Sequence, residues 1–172
     1  MALTFVRDPQ ITPRLREEFL RLWFDVTQAG GAVGFVPPVT EEEIRPAAVE
    51  QLDAVAAGRI RMLAGYEDGR LAATAFLRPN DDFKMAHWST VVLVMVDPSL
   101  QGGGRGRRLV GETVDMARDA GLEALRLVVR GGTGTERFYE VSGFKEVGRV
   151  PAGLKLPGDD YRDEILMWLP LP

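Results

Sequence analysis

The residues best suited to chemistry form a run of glycines and arginines at 101–108. Glycines let backbone N–H groups come close to a ligand, and the N-terminus of a helix favours an anion. Arg105, Arg107 and Arg108 stand in or beside the first turn of the following helix, where each cation opposes the helix dipole by about 0.3–1 kcal/mol. A bound polyanion would reverse that penalty, so the segment predicts a phosphate-binding loop. The alternative is a flexible loop whose arginines point into water.

Two well-known phosphate-binding patterns fit this loop poorly. A Walker loop would continue with Gly-Lys-Ser or Gly-Lys-Thr, and neither triplet follows. The dinucleotide pattern Gly-x-Gly-x-x-Gly places Arg107 at its third glycine if it starts at Gly102. It places Leu109 there if it starts at Gly104. The strand before the loop also comes late in the chain, which disfavours a nucleotide-binding dehydrogenase.

The composition excludes several other kinds of site. The 172 residues contain no cysteine, which removes disulfides, a thiolate nucleophile and cysteine-based metal clusters. His87 is the only histidine. We therefore expect no metal, and a Ser-His-Asp hydrolase would depend on this residue. Twenty-one basic residues against 25 acidic ones give a net charge of −4, which argues against a nucleic-acid partner.

The length and the hydropathy pattern predict one domain over residues 1–172. A chain of this size buries about 70% of its unfolded surface, so a core can form without covalent staples. No apolar run approaches the roughly 20 residues of a membrane helix, and the first eight residues lack the layout of a signal peptide. We expect a soluble cytoplasmic protein with no membrane partner.

Capping and turn signals predict the first half of the chain. Thr12-Pro13 opens a helix that Gly30-Gly31 ends, and the capping box at residues 40–43 opens a second one. Pro46 should kink or restart that second helix. Asp68-Gly69 predicts the turn of a hairpin between strands 60–66 and 71–78.

The second half alternates strands and helices. Residues 83–96 predict a strand that is buried on both faces at its end, and the glycine-rich loop then opens a helix that Gly121 closes. Leu154 to Tyr161 reads as an irregular loop. The remaining predicted elements are strand 125–129, a short helix at 133–142, and strands 144–150 and 165–169. This order predicts a mixed α/β sheet covered by helices.

Three sequence motifs in order resemble those of the GNAT acyltransferases. Residues 101–106 (QGGGRG) fit Gln/Arg-x-x-Gly-x-Gly/Ala, the family's acetyl-CoA pyrophosphate loop. Residues 94–98 (VMVDP) look like the family's central strand and its exit. Residues 138–144 (FYEVSGF) resemble the family's Phe/Leu-Tyr-x-x-x-Gly-Phe. The match is firm between about Phe83 and Val150 and rests on element order alone before that.

The resemblance implies the GNAT fold, an α/β (α+β) arrangement with a mixed central sheet of about seven strands flanked by about four helices. The sheet would be splayed, with acetyl-CoA as co-substrate between the strand ending at Val96 and strand 125–129. Backbone groups at the end of the first strand would pair with the pantetheine arm, and loop N–H groups would hold the pyrophosphate. The implied cofactor-binding residues are Val94, Met95, Val96, Gln101, Gly102, Gly103, Gly104, Arg105, Gly106 and Arg107. Arg108 is a further candidate for a CoA phosphate.

The resemblance implies Tyr139 as the catalytic residue that donates a proton to the departing CoA thiolate. Some relatives carry acids where this chain has Thr90 and Arg130, so the general base is left open. His87 could serve through a water molecule because an imidazole titrates near pH 6.5, or it could be structural. Asp81, in the turn before, could equally be a solvated turn residue.

The implied function is direct transfer of an acetyl group from acetyl-CoA to a primary amine of a small molecule. A catalytically silent acyl-CoA-binding or small-molecule-sequestering module is the alternative, and a protein or ribosomal acceptor is a weaker one. The acceptor site should involve residues 32–39, with Trp23, Phe35 and Trp88 as candidate lining. Dimers are common in this family, so a homodimer is left open.

Overall fold

A computed structural model describes residues 3–172 of the chain. Seven strands and four α-helices alternate along it in the order that the sequence predicts. The strands are β1 (Thr4–Arg7), β2 (Arg61–Glu67), β3 (Arg70–Pro79), β4 (Trp88–Val96), β5 (Ala124–Arg130), β6 (Lys145–Leu156) and β7 (Asp160–Pro170). The helices are α1 (Pro13–Gln28), α2 (Glu41–Ala56), α3 (Arg105–Asp119) and α4 (Thr135–Glu140).

One seven-stranded mixed sheet runs in the order β1-β2-β3-β4-β5-β7-β6. Every neighbouring pair is antiparallel except β4 and β5, which are parallel. That parallel pairing extends only over Trp88–Thr90 against Ala124–Arg126, and the two strands then diverge. The predicted fold class, a splayed sheet of the GNAT type, is confirmed.

Local sequence signals explain where the helices on one face begin. The Thr12 hydroxyl accepts a hydrogen bond from the N–H of Leu15 at 3.2 Å, with Pro13 as the first helical residue. At the start of α2, the Thr40 hydroxyl accepts from the Glu43 N–H at 3.3 Å, and the Glu43 carboxylate accepts from the Thr40 N–H at 2.7 Å. This is the reciprocal capping box that the sequence predicts.

Two apolar cores lie on opposite faces of the sheet. On one face, α1 and α2 cover β2 to β4; the core there includes Phe19, Ile44, Leu52, Met62, Phe76 and Met95. On the other face, α3 and α4 cover the sheet; that core includes Leu109, Met116, Leu125, Tyr139, Phe144 and Met167.

Three sequence predictions about elements differ from the structure in detail. Pro46 does not restart the second helix, since α2 runs through it as one helix from Glu41 to Ala56 and loses only one backbone hydrogen bond near its start. Phe83–Met85 is a short 3₁₀ turn, and the strand begins only at Trp88. Residues 154–161 belong mostly to β6 and β7, whose pairing extends to Leu156 opposite Asp160.

Candidate acyl-CoA and acceptor site

The splay between β4 and β5 opens a cavity of about 820 Å³. Thr90 to Val94 form one wall, Leu127 and Val128 form the opposite wall, and Tyr139 closes one end. The edge of β4 beyond Thr90 has no strand partner on the β5 side. Backbone amides and carbonyls along it are therefore available to an extended ligand, as in the pairing of an added strand.

A β-bulge in β4 shapes this open edge. Leu93 has a φ of +50°, and its carbonyl accepts a hydrogen bond from the Thr74 hydroxyl at 3.1 Å. The β3–β4 register shifts at this point, because the extra residue of a bulge interrupts the ladder and bends the strand. Of the predicted pantetheine contacts, Val94 lines the cavity, whereas the Met95 side chain is buried in the core on the α1–α2 face. Met95 could contribute only through its backbone.

The glycine-rich loop after β4 has backbone amides that donate to no described residue. Gly102, Gly103 and Gly104 all have positive φ, and Gly104 is the N-cap of α3 without a side-chain cap. The N–H groups of residues 103, 104, 106 and 107 donate to no described residue. Amides that converge at a helix N-terminus bind phosphate, and Gln101 stands exposed at the entrance of this loop.

The three arginines of the loop have different surroundings. Arg105 forms an ion pair with Glu67 at 2.8 Å, and this contact holds the pKa of that carboxyl below its usual range. Arg108 donates to the carbonyl of Leu3 at 3.2 Å and lies over the Phe5 ring. Arg107 is exposed and has no ion pair or hydrogen bond to a described residue. Arg107 thus has all its donors unused by the described residues, and the exposed Arg108 uses only its Nη2.

Tyr139 lies where α4 meets the splay. Its ring packs edge-on against Phe138 at 5.0 Å and Phe144 at 5.7 Å between centroids, and only 8% of the residue is exposed. A Cβ atom on Gly106 would lie 3.1 Å from the Phe138 ring, so α3 and α4 approach closely there. The Tyr139 hydroxyl makes no hydrogen bond to a described residue, and burial raises the pKa of this phenol. It is therefore a protonated donor beside the cavity.

Of the positions considered for the general base, only some line the cavity. Thr90 lines the cavity where some relatives carry an acid, and Arg130 is half-buried at the end of β5. His87 is exposed and does not line the cavity, whereas Asp81 does. The structure therefore brings Asp81, and not the histidine, to the site.

The cavity lining also includes five charged or amide-bearing residues, Glu50, Gln51, Arg59, Arg78 and Asp81. Arg78 donates to the Gln51 Oε1 at 3.2 Å, and Glu50, Arg59 and Asp81 form no ion pair with a described residue. These residues come from α2, the segment after it, β3 and a turn. Of the five, the sequence indicated only Asp81, because no motif spacing links the other four.

Of the loop and aromatic residues predicted to line the acceptor site, only some line the cavity. Residues 32–34 and Trp23 line the cavity, and the Trp23 indole N–H donates to the Val33 carbonyl at 2.7 Å. The Phe35 ring packs edge-on against the Trp23 ring, with 5.5 Å between the ring centroids. Trp88 is away from the cavity, under Arg126 and edge-on to Trp168.

Comparison with known proteins agrees with this geometry. The profile of the Acetyltransferase (GNAT) family matches residues 14–144, and the chain belongs to this family of acetyl-CoA-dependent acetyltransferases. A mycothiol acetyltransferase from Beutenbergia cavernae is 36% identical over 81 residues. That match spans 46% of this chain and 26% of the relative, so the chain corresponds to only part of that protein.

Solved structures show the same fold at low sequence identity. The ribosomal-protein-alanine N-acetyltransferase from Brucella melitensis superposes with a TM-score of 0.79 at 19% identity, covering 98% of this chain and 100% of that one. A putative acetyltransferase from Salmonella typhimurium, solved with its cofactor acetyl-CoA, gives a TM-score of 0.77 at 16% identity. It covers all of this chain and 95% of its own.

Membrane-spanning helices and clusters of metal-ligating side chains are both absent from residues 3–172. Within this range, no helix is both long enough and apolar enough to cross a lipid bilayer. Nor do three or more His, Asp or Glu side chains gather there in a way that could hold a metal ion.

Proposed function

We propose that this chain, as one GNAT domain, transfers the acetyl group of acetyl-CoA directly to the primary amine of a small molecule. The observation that carries the proposal is the combination of three features. The open β4 edge and Tyr139 line the cavity of the splay, and a nest of unpaired amides at the start of α3 follows the end of β4 in the chain. An extended ligand with a thioester at one end and phosphates at the other matches these three groups: the thioester would meet Tyr139, the middle the β4 edge, and the phosphates the loop amides.

Direct transfer is favoured by what lines the cavity. The chain has no cysteine to carry the acetyl group, and Thr90 is the only serine or threonine among the lining residues. Nothing described activates the Thr90 hydroxyl as a nucleophile, because no histidine lies beside it. The amine would therefore attack the thioester itself, and the thioester supplies both the acetyl group and the leaving thiolate.

Tyr139 is proposed to stabilise the leaving sulfur. A thiol has a reference pKa of about 8.5, whereas a free phenol has one of about 10, and burial raises that of Tyr139 further. Complete proton transfer to a solvated thiolate would thus be uphill. A hydrogen bond from the phenol to the sulfur that strengthens as charge develops is the role that this pKa order supports.

The amine must lose a proton before it attacks, since an alkylammonium has a reference pKa of about 10.4. Glu50 and Asp81 are acids that line the cavity, and neither forms an ion pair with a described residue. We assign the base role to one of these two, acting through water, rather than to His87. The remote His87 would not affect the pH profile under this assignment.

Calorimetric titration with acetyl-CoA, followed by thiol release with a panel of amines, tests the proposed function. Micromolar binding and amine-dependent thiol release support it. Absence of binding at millimolar ligand and low salt overturns it.

Binding without any amine-dependent release would instead favour the second candidate function, a silent acyl-CoA-binding module. The specific observation in favour of that module is Thr90, which replaces the acid of some relatives and leaves no carboxylate on β4 beside the splay.

A further inference from the structure

The cavity is lined by residues from both faces of the sheet. Tyr139 and Leu127 line it and belong to the core under α3 and α4. Trp23, Ala54 and Ile60 also line it, but they belong to the core under α1 and α2. These three residues make none of the acyl-CoA contacts proposed above. Their side chains therefore bear on whatever else the cavity binds.

The lining on the α1–α2 face includes an apolar wall. It consists of Trp23 from α1, Ala47 and Ala54 from α2, and Ile60 just after α2. Ala47 and Ala54 lie seven positions apart, which is close to two helical turns, so both face the same side of α2. Because alanine ends at its Cβ atom, the cavity keeps space beside these two positions that a larger side chain would fill.

The side chains of the apolar wall offer no hydrogen bond to a ligand. Their one polar atom is the Trp23 indole nitrogen, whose N–H donates to the Val33 carbonyl at 2.7 Å. Gln51 lies between the two alanines on α2, but its Oε1 accepts from Arg78 and its Nε2 is buried. A polar group placed against this wall would lose its hydrogen bonds to water without replacement, whereas an apolar group gains by leaving water.

Charge gives the cavity little preference of its own. Its charged lining residues are two acids, Glu50 and Asp81, and two arginines, Arg59 and Arg78. All four are exposed, so solvent and salt screen them. The chemistry of the apolar wall, rather than a net charge, is therefore what distinguishes one small-molecule body from another here.

Resting on the proposed function above, we propose that the acceptor is a primary amine whose body is apolar and about as large as an aromatic ring. The apolar wall binds this body: it packs on Trp23 and fills the space beside Ala47 and Ala54. The amine is left to reach the thioester beside Tyr139. The acceptor class is then that of hydrophobic primary amines, with an aromatic or branched aliphatic body.

The test compares three amines that share a two-carbon chain. Phenethylamine carries an apolar ring, N-acetylethylenediamine carries a polar amide, and ethylamine carries neither. They are assayed as acceptors with the wild type, Ala47→Leu and Ala54→Leu. Leucine would occupy the proposed site and is a good helix former. Ala56→Leu makes the same change at an exposed position of α2 that does not line the cavity, and it is the matched control.

The wild type should use phenethylamine about 10- to 100-fold better than the other two amines in kcat/KM, as expected for burial of an apolar ring. Ala47→Leu and Ala54→Leu should remove most of this advantage. They should leave ethylamine and the KM for acetyl-CoA within about threefold, and Ala56→Leu should change none of these values.

Two results would overturn the proposal. One is a wild type that uses the three amines equally. The other is an advantage of phenethylamine that persists in both leucine variants. Thermal melts identify a variant that has lost its fold; the remaining variant and the wild-type comparison then decide.

Equilibrium binding separates this proposal from the proposed function. If no amine is acetylated, calorimetry of the three amines against the CoA complex, or against the free protein where CoA does not bind, still tests the apolar wall. A preference for phenethylamine that Ala47→Leu abolishes would support the wall while the transferase proposal fails. Equal affinities for the three amines would overturn the wall.

Discussion

Replacing Tyr139 with phenylalanine should separate activity from stability. The change removes one oxygen atom from a side chain that is 8% exposed and packed between two aromatic rings. That hydroxyl makes no hydrogen bond to a described residue, so its loss leaves no partner unsatisfied. We expect the melting temperature of Tyr139→Phe to stay within about 2 °C of the wild type, or to rise.

The same change should lower kcat substantially. If the phenol stabilises the leaving thiolate, the variant loses a preorganised donor beside the cavity. Removal of such a donor typically costs about 10²- to 10³-fold in kcat. The affinity for acetyl-CoA should change by less than about threefold, because a thioester sulfur accepts hydrogen bonds weakly until the thiolate forms.

Thiol-release kinetics measure kcat, calorimetry measures the affinity for acetyl-CoA, and thermal melts measure the melting temperature. Tyr161→Phe is the matched control, since Tyr161 is 53% exposed on β7 and does not line the cavity. An unchanged kcat in Tyr139→Phe would refute the thiolate role. A large drop in melting temperature would instead mean that the hydroxyl has a structural partner, and the kinetic loss could not then be assigned to catalysis.

The pH dependence follows from the raised pKa of Tyr139. Burial favours the neutral phenol, so the folded protein keeps this proton at pH values where an unfolded tyrosine, with a pKa near 10, has lost it. The contribution of Tyr139 to stability is therefore complete below pH 10 and declines above it. The wild type should lose more stability than Tyr139→Phe between pH 9 and about pH 11. A fall of wild-type kcat between pH 8 and 9 that is absent in the variant would contradict a raised pKa.

Three further predictions concern the start of α3. Arg107→Gln should weaken acetyl-CoA binding about three- to tenfold and flatten its salt dependence, as calorimetry at two salt concentrations would show; equal affinity would exclude a phosphate contact. Gly106→Ala should push the Phe138 ring by a few tenths of an ångström and lower kcat several-fold without loss of helix stability, since alanine favours a helix. An unchanged kcat would show that α4 tolerates this shift. Glu67→Gln should lower the melting temperature at pH 7 by breaking the pair with Arg105. Because Arg105 lowers the pKa of Glu67, that difference should shrink as the pH falls below about 4.5, and a difference that persists at pH 3 would contradict the pairing.

The motif residues could be predicted from the sequence because their backbone conformations and hydrogen bonds are local. Three consecutive glycines followed by a helix produce positive φ and unpaired amides whatever packs around them. The Thr40 capping box and the Asp68-Gly69 turn are likewise contacts between residues at most three positions apart. Short-range hydrogen bonds and glycine's backbone freedom explain why these elements were predicted correctly.

The C-terminal hairpin was predicted poorly for the opposite reason. β6 is exposed along almost its whole length, and although Val150, Ala152, Leu154 and Leu156 alternate, Pro151 and Gly153 between them are disfavoured in strands. Register shifts also interrupt its pairing with β7. The strand exists because β7 supplies a ladder of backbone hydrogen bonds, which outweighs the turn signals of Pro151 and Gly153.

The sequence by itself determined the family and the positions of its three motifs, because each motif depends on residue type and on neighbours close along the chain. The tertiary structure alone decided the surroundings of the arginines: Arg105 pairs with Glu67, and Arg108 contacts Leu3 and Phe5. It also brought Gln51 and Arg78 together across 27 positions of sequence. Such contacts arise only when helices pack on the sheet, so their chemistry is not written in any local pattern.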